Sequence, residues 1–426
     1  MGATSGSSLF ANKVIMAPMV RAGRTPLRLL ALKYGADLCY TEEIIDQKLL
    51  SSTRVVNNIL NTVDYALVDD IVLRIAPGEI GRCVLQIGTN SGTRATQVAR
   101  MVGADVAAID VNMGCPKPFS IHCGMGAALL LQVDKVKEIL TSLVGVSQVP
   151  VSCKIRVLDD LSATLNLVRV IENCGVAAIG VHGRRRDERD HHPCRIDEIR
   201  EIARTVRIPV IANGGSADIN CYDDVLKFRS DTGTSSVMIA RKALSCPSVF
   251  RREGVLQFDE DVRNFLDLGL SCYDAFVFTS SYITVFQDRD PRGRQTVLAG
   301  SVQEICRAWG CEEKYEKCRR DRIRKQNKRV FSNEISDYEK RLKDAKNASA
   351  TPKCILFNYC KEVNAEKPVY SSVNKRFEGS VEVLGKKFRS RKGQPNTRMA
   401  EQVAALAALI GLNLRHLLKG DWEEKP

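Results

Sequence analysis

None of the 15 cysteines stands in a C-x-x-C pair. Without such pairs, zinc-knuckle and thioredoxin-like patterns are excluded. A scattered, odd-numbered set is not a disulfide framework either, so most of these thiols are expected to be reduced core residues. No apolar run reaches the roughly 20 residues that span a bilayer. The opening MGATSGSSLF lacks a signal-peptide pattern, and Gly6 stands where an N-myristoylation site has Ser or Thr. Together these absences predict a soluble, cytoplasmic chain with no membrane partner and no bound metal.

What is present is length, an ordinary apolar content and a basic balance. The 426 residues have room for two or three domains, and 44% hydrophobic residues suffice for a sizeable core. A net charge of +13 favours a polyanionic partner.

The first 250 or so residues repeat one rhythm, in which short apolar runs alternate with longer helical patterns. The runs are KVIMAPM (13–19), ADLCYTE (36–42), CVLQIG (83–88), VAAIDVN (106–112), VPVSCKIRV (149–157), AAIGVHG (177–183), IPVIANGG (208–215) and SSVMIAR (235–241). Each is too short for a typical helix and apolar throughout, as a strand buried on both faces is. Eight β-then-α units predict an α/β fold of the (β/α)8 barrel type, over residues 12–253. A doubly wound sheet is the rival architecture. Residues 254–318 read as a small helical domain, and 319–350 as a basic linker that begins within the stretch EKYEKCRRDRIRKQNKRV. From Thr351 the composition changes again. Thr351-Pro352 supplies a helix start, PVYSSVNKRF, SVEVLG and KKFRSRKG read as strands, and TRMAEQVAALAALIGL closes an α-β-β-β-α order over 351–420.

The stretch DVNMGCPKPFSIHCGMGAAL (110–129) contains what resembles a dinucleotide-binding glycine loop. That fingerprint needs its glycines directly between strand and helix. Here the strand ends near Asn112, the first glycine of the candidate fingerprint is Gly124, and Leu129 fills the third glycine position. The better reading is a long loop over the C-terminal mouth of strand 4, with Gly114, Gly124 and Gly126 giving it freedom and Pro116 and Pro118 bending it. Barrel active sites lie at that mouth.

Other distinctive residues fall on equivalent strand ends: Pro18 and Met19, Gln86, Asn112 and Cys115, Lys154, His182, Asn213-Gly214-Gly215, and Ala240-Arg241. A glycine pair after strand 7 beside an arginine after strand 8 suits a phosphate monoester. Cys39, Cys83 and Cys153 read as core thiols, whereas Cys115 sits among glycines and prolines. HGRRRDERDHHPC offers His182, His191, His192 and Cys194 as metal ligands, but no second cluster supports zinc. The run Arg184-Arg185-Arg186 is either a solvated loop or a rim that holds RNA phosphates.

APM, DVNMGCPK…GMGAAL, CKIR, VHGRRRDER, IPVIANGG and SVMIAR together resemble the tRNA-dihydrouridine synthases. The C-terminal segment resembles a double-stranded RNA-binding domain, and the combination is similar to the eukaryotic type acting on position 20 of the D-loop. The resemblance implies FMN held by Pro18, Met19, Gln86, Lys154, His182, Asn213, Gly214, Gly215, Ala240 and Arg241, and Cys115 as the proton donor to uracil C5. It implies NADPH or NADH as reductant and tRNA as substrate, for a monomeric enzyme. RNA contacts are expected from Arg184, Arg185, Lys386, Lys387, Arg389, Arg391, Lys392 and Arg398. Three departures stand out. His122 and Cys123 replace a basic and a small residue, Asp190 replaces a proline, and Arg398 stands without the family's lysine cluster. Two alternatives stay open at this point: a dihydroorotate-dehydrogenase-like flavin oxidoreductase acting on a free small molecule, and an RNA-binding protein with a catalytically silent barrel.

Overall fold

The computed structural model describes residues 6–68, 70–272, 290–325, 351–373, 378–390, 394 and 396–418. The chain forms two compact units, Met1–Cys318 and Arg319–Pro426.

The first unit contains a closed parallel barrel. Its strands are β1 (Val14–Met16), β2 (Leu38–Tyr40), β3 (Cys83–Gly88), β4 (Ala108–Met113), β5 (Val151–Arg156), β6 (Ala178–His182), β7 (Val210–Asn213) and β8 (Ser236–Ile239). Each pairs in parallel with its neighbours in chain order, and β8 pairs with β1 through Val14↔Val237. β2 bonds both β1 (Ile15↔Leu38) and β3 (Cys39↔Cys83), which completes the ring. All eight predicted strands are present, in one closed sheet rather than an open doubly wound one.

Two apolar layers follow from the pleat. Ile15, Leu38, Tyr40, Val84, Ala108, Ala178, Ile211 and Met238 cluster together, one or two from each of seven strands, and fill the barrel interior. Their neighbours along the strands, such as Val14, Cys39, Leu85, Ile109 and Ile179, pack outward against the helices. Alternation then carries the inward face to the C-terminal strand ends. On β3 it runs Val84 to Gln86, and on β4 Ala108 to Asp110 to Asn112. On β5 it runs Ser152 to Lys154, and on β6 Ala178 to His182.

The helices carry their own start signals. Asp160 caps Leu161–Asn173, its carboxylate accepting from the N–H groups of Ser162 and Ala163 at 3.2 and 2.9 Å. Ser91 caps Gly92–Val102 in the same way.

The sequence reading left residues 51–75 without strands, yet an antiparallel sheet is inserted there: Thr53–Asn57, Thr62–Ala66 and Ile71–Ile75. A buried Arg74–Asp64 pair at 2.6 Å anchors it, and Arg74 also donates to the Cys272 carbonyl. The expected separate helical domain at 254–318 shares the barrel's core instead. Phe265, Leu266, Ile305 and Trp309 belong to the same buried cluster as the barrel's outer layer. Residues 312–325 are helical, so the segment expected to be a linker begins in a helix, and the rest of it, 326–350, lies outside the described residues.

The second unit has the predicted order: helix Pro352–Glu362, strands β9 (Val369–Val373), β10 (Glu378–Val383) and β11 (Lys386–Arg389), and helix Thr397–Gly411. Leu384 and Gly385 both have positive φ, 49° and 67°, which is the two-residue hairpin turn expected between β10 and β11. Leu356, Cys360, Val381, Val383, Leu406 and Leu409 form its core. Among the described residues no helix is long and apolar enough to cross a membrane.

Candidate active site

A cavity of about 200 Å³ opens at the C-terminal mouth of the barrel. Of the residues singled out from the sequence, Pro18, Gln86, Asn112, Cys115, Lys154, His182, Asn213 and Ala240 line it. Met19, Gly214, Gly215 and Arg241 do not. Arg241 instead pairs with Asp190 at 2.7 Å.

The mouth is built on polar groups carried up from the barrel floor. Asp110 is fully buried, accepting from Gln86 Nε2 at 2.8 Å and Ser152 Oγ at 2.7 Å. Burial outweighs these bonds and the Lys154 charge, and its carboxyl is pushed up to about 6. Gln86 is thereby fixed by its amide nitrogen. Asn213 is fixed in the same manner, Nδ2 donating to the Met238 carbonyl at 2.9 Å. Burial, then the Arg156 charge, pushes the Lys154 ammonium down to about 8. His182 is pushed further down by burial and by Lys154, Arg156, Arg184 and Arg241, so its ring is neutral. Arg184 Nη1 lies 3.2 Å from His182 Nε2. A guanidinium only donates, so Nε2 accepts and the ring proton sits on Nδ1.

The loop after β4 holds Cys115 by its backbone. Asn112 Oδ1 accepts from the N–H groups of Gly114 and Cys115 at 3.0 and 3.1 Å, and Arg156 Nε donates to the Gly114 carbonyl. Gly126 has φ 58°, and a Cβ there would lie 2.7 Å from the Cys115 carbonyl oxygen, so glycine is required. Cys115 is half-buried in the cavity wall. Cys123 is exposed eight residues on, its carbonyl tied to Asn90 Nδ2 at 2.7 Å.

The arginine run after β6 divides. Arg184 is 3% exposed and donates to the carbonyls of His192 and Gly214 as well as to His182. The expectation that it meets RNA phosphates is therefore corrected: its guanidinium is a buried clamp between the β6 and β7 turns. Arg185 pairs with Glu198 and Asp159, while Arg186 and Arg189 are the exposed arginines of this loop. Gly214, at φ 122° and with Cys194 Sγ 2.7 Å from where a Cβ would stand, tolerates no side chain. The loop's histidines and Cys194 form no ligand cluster. Among the described residues the one group with metal-ligating spacing is Cys39, Glu79 and Cys83, where Glu79 already takes two hydrogen bonds from Arg28.

The wall also includes Gly114 and Pro116 of the loop after β4, with Val20 and Arg156, and sequence reasoning missed one further lining residue, Glu43. It follows β2 directly, a strand end equivalent to the seven that were used, and this position was the available signal.

In the second unit, Lys386, Lys387, Arg389 and Arg398 are exposed, and Arg391 and Lys392 lie outside the described residues. Val381 and Phe388, paired across β10 and β11, pack with the helices. By alternation Lys387 and Arg389 stand on the opposite sheet face, away from the helix that carries Arg398.

The dihydrouridine synthase (Dus) family profile matches residues 15–269, and the double-stranded RNA binding motif matches 352–412. The chain belongs to the dihydrouridine synthase family. It is 40% identical over 279 residues to a tRNA-dihydrouridine(20) synthase [NAD(P)+] of Schizosaccharomyces pombe, a match covering 63% of this chain and 58% of that protein. It is 39% identical over 256 residues to the enzyme of the same name from Saccharomyces cerevisiae, covering 57% and 67%. A human tRNA-dihydrouridine(20a/20b) synthase [NAD(P)+]-like protein is 33% identical over 241 residues, covering 55% and 70%. The chain thus spans little more than half the length of the first of these Dus relatives. A solved DHODH structure from Eimeria tenella covers 57% of this chain and 81% of its own at 13% identity and a TM-score of 0.39, a likeness too low to bear on fold or function.

Proposed function

We propose that this chain reduces the C5–C6 bond of a uridine in the tRNA D-loop, at position 20, with FMN bound at the barrel mouth and NADPH or NADH as reductant. The observation that carries this reading is the cavity wall. It gathers one thiol, Cys115, with Gln86, Lys154, His182 and Asn213 from five separate elements. The donor set fits a flavin. Gln86 and Asn213 are fixed amides, Lys154 is a half-buried cation, and Arg241 after β8 is close enough for its charge to act on His182.

When bound, the flavin would supply hydride chemistry for uracil C6. The chain's own residues orient and protonate. Cys115 would give its proton to C5, and an uncharged thiol enters a stacked site at less desolvation cost than a carboxylate. Lys154 balances the negative charge that develops on the base carbonyl next to C5. The neutral His182 ring, its Nε2 taken by Arg184, offers Nδ1–H as a donor. The target base has to leave the stack to enter the cavity, which a loop nucleotide does at low cost. The RNA-binding unit favours tRNA over a free small molecule as substrate.

The test is incubation of the yellow, flavin-loaded protein with unmodified tRNA and NADPH, followed by mapping of dihydrouridine. Product confined to position 20 supports the reading. Flavin reduction without any tRNA product removes it.

A further inference from the structure

Two consecutive glutamates follow β2, and the fold uses them in opposite ways. Glu42 is committed: one oxygen accepts from the Arg21 N–H at 2.8 Å, and the other lies 2.5 Å from the Arg24 guanidinium. Glu43 lines the cavity, and both its carboxylate oxygens are shut off from solvent with no well-formed hydrogen bond, although the Asn112 and Cys115 side chains come close enough to act on it. Buried acceptors are costly to leave unmade, and such a group in a binding cavity points to a donor that arrives with the ligand. The fold leaves room for this carboxylate. At the end of β3, a Cβ on Gly88 would lie 2.6 Å from Glu43 Oε1.

Every other side-chain acceptor of the wall is uncharged. Lys154 and Arg156 only donate, Gln86 Nε2 is held by Asp110, and Asn112 Oδ1 is held by two backbone N–H groups. Glu43 is the one carboxylate among the cavity's lining residues. Asn112, Cys115 and Lys117 act on it. Burial holds its carboxyl above the ordinary value, and these three neighbours pull it partly back.

Uracil presents two carbonyl acceptors with a single donor, N3–H, between them. Cytosine has a lone pair at N3 instead. We propose that Glu43 accepts the N3–H of the target uracil and so selects uracil over bases without that proton. This rests on the function proposed above. Cys115 and Glu43 then read the same base, one at C5 and the other at N3. A lone pair facing a buried carboxylate is repelled, which gives rejection as well as attraction.

The experiment uses the full-length flavin-loaded chain and two tRNA transcripts, one with uridine and one with N3-methyluridine at the target position. Wild type is expected to reduce the methylated transcript at least about 100-fold less efficiently, because a site built around a substrate N–H strongly rejects an analogue without it. Glu43→Ala is expected to lower kcat/KM for uridine roughly ten- to hundredfold, the range of a charge-assisted hydrogen bond, and to leave flavin content and NADPH oxidation unchanged. The methyl group should then cost it little more, since the group it offends is gone. Glu43→Gln, nearly the same size and safer for folding, is expected to keep an intermediate preference. Three results would overturn the proposal: flavin lost from both variants, which would make Glu43 a cofactor ligand; uridine kinetics unchanged; or variant and methyl penalties that multiply independently. Wild type making no dihydrouridine from the unmodified transcript would bring down the proposed function first, and this assignment with it.

Discussion

Arg241 Nη1 and the Asp190 carboxylate are 2.7 Å apart, so the arginine that opens the segment after β8 is held by an aspartate from the loop after β6. Asp190 is the position where the resembling sequences have proline. The side chain expected at a cofactor phosphate therefore has a competing anion built in beside it. Arg241→Ala is expected to weaken flavin binding roughly ten- to hundredfold, as loss of a charge-assisted phosphate contact does. Asp190→Asn is expected to strengthen it a few-fold, because both partners are more than a third exposed and such pairs contribute only about 0.2–1 kcal/mol. Equilibrium flavin titration measures both. Weaker binding in Asp190→Asn would mean that the aspartate positions the arginine rather than competing for it.

Cys115→Ala is expected to keep its flavin and be reduced by NADPH, yet to form almost no dihydrouridine. Cys123→Ala is expected to be mild, since that thiol is exposed and outside the cavity wall. Parallel assays of flavin reduction and tRNA product separate the two. Near-normal product from Cys115→Ala would take the thiol out of the mechanism.

Asp110 makes stability depend on pH in a stated direction. Its folded carboxyl is pushed up to about 6 by burial, against roughly 4 in an unfolded chain. The folded state therefore binds the proton more tightly, and stability falls as pH rises from about 4 to about 6. Asp110→Asn removes this contribution. Relative to wild type, it should gain up to about 3 kcal/mol across that window, after any constant offset from altered hydrogen bonds. Denaturant unfolding of both proteins at several pH values tests this, and curves that stay parallel would show that Asp110 does not titrate there.

Deleting the residues after 350 is expected to leave a yellow barrel that oxidises NADPH but binds tRNA poorly. Its binding should also depend less steeply on salt, because fewer phosphates are neutralised. Charge reversal at Lys386 and Lys387 should reproduce part of that defect. If Arg398→Glu alone reproduces all of it, RNA lies along the helix Thr397–Gly411 rather than at the β10–β11 turn. Equal affinity and equal salt slope in the truncated and full chains would place the main RNA contact in the first unit.

The eight barrel strands were legible because each is a short, mostly apolar run, and the mouth residues because they stand at strand ends. The inserted sheet was not. Thr53–Asn57 is mostly exposed and mixes polar with apolar residues, so no buried-strand signal marks it. That residues after 254 pack onto the barrel was hidden for a different reason. Helical periodicity marks an apolar face but not its partner, and Phe265 and Trp309 find theirs in the barrel's own core.

The sequence by itself determined the barrel, the α-β-β-β-α unit and the place of Cys115 in a loop over the mouth, because strand period, capping residues and glycine positions are local properties of the chain. Tertiary structure alone decided which charges are spent and which are free. Arg184 and Arg186 look alike in the sequence, yet one is a buried clamp and the other is exposed. Glu42 and Glu43 are neighbours, yet one is paired with arginine and the other waits unpaired in the cavity. Whether an ionic group finds a partner depends on residues tens of positions away, brought close only when the barrel closes.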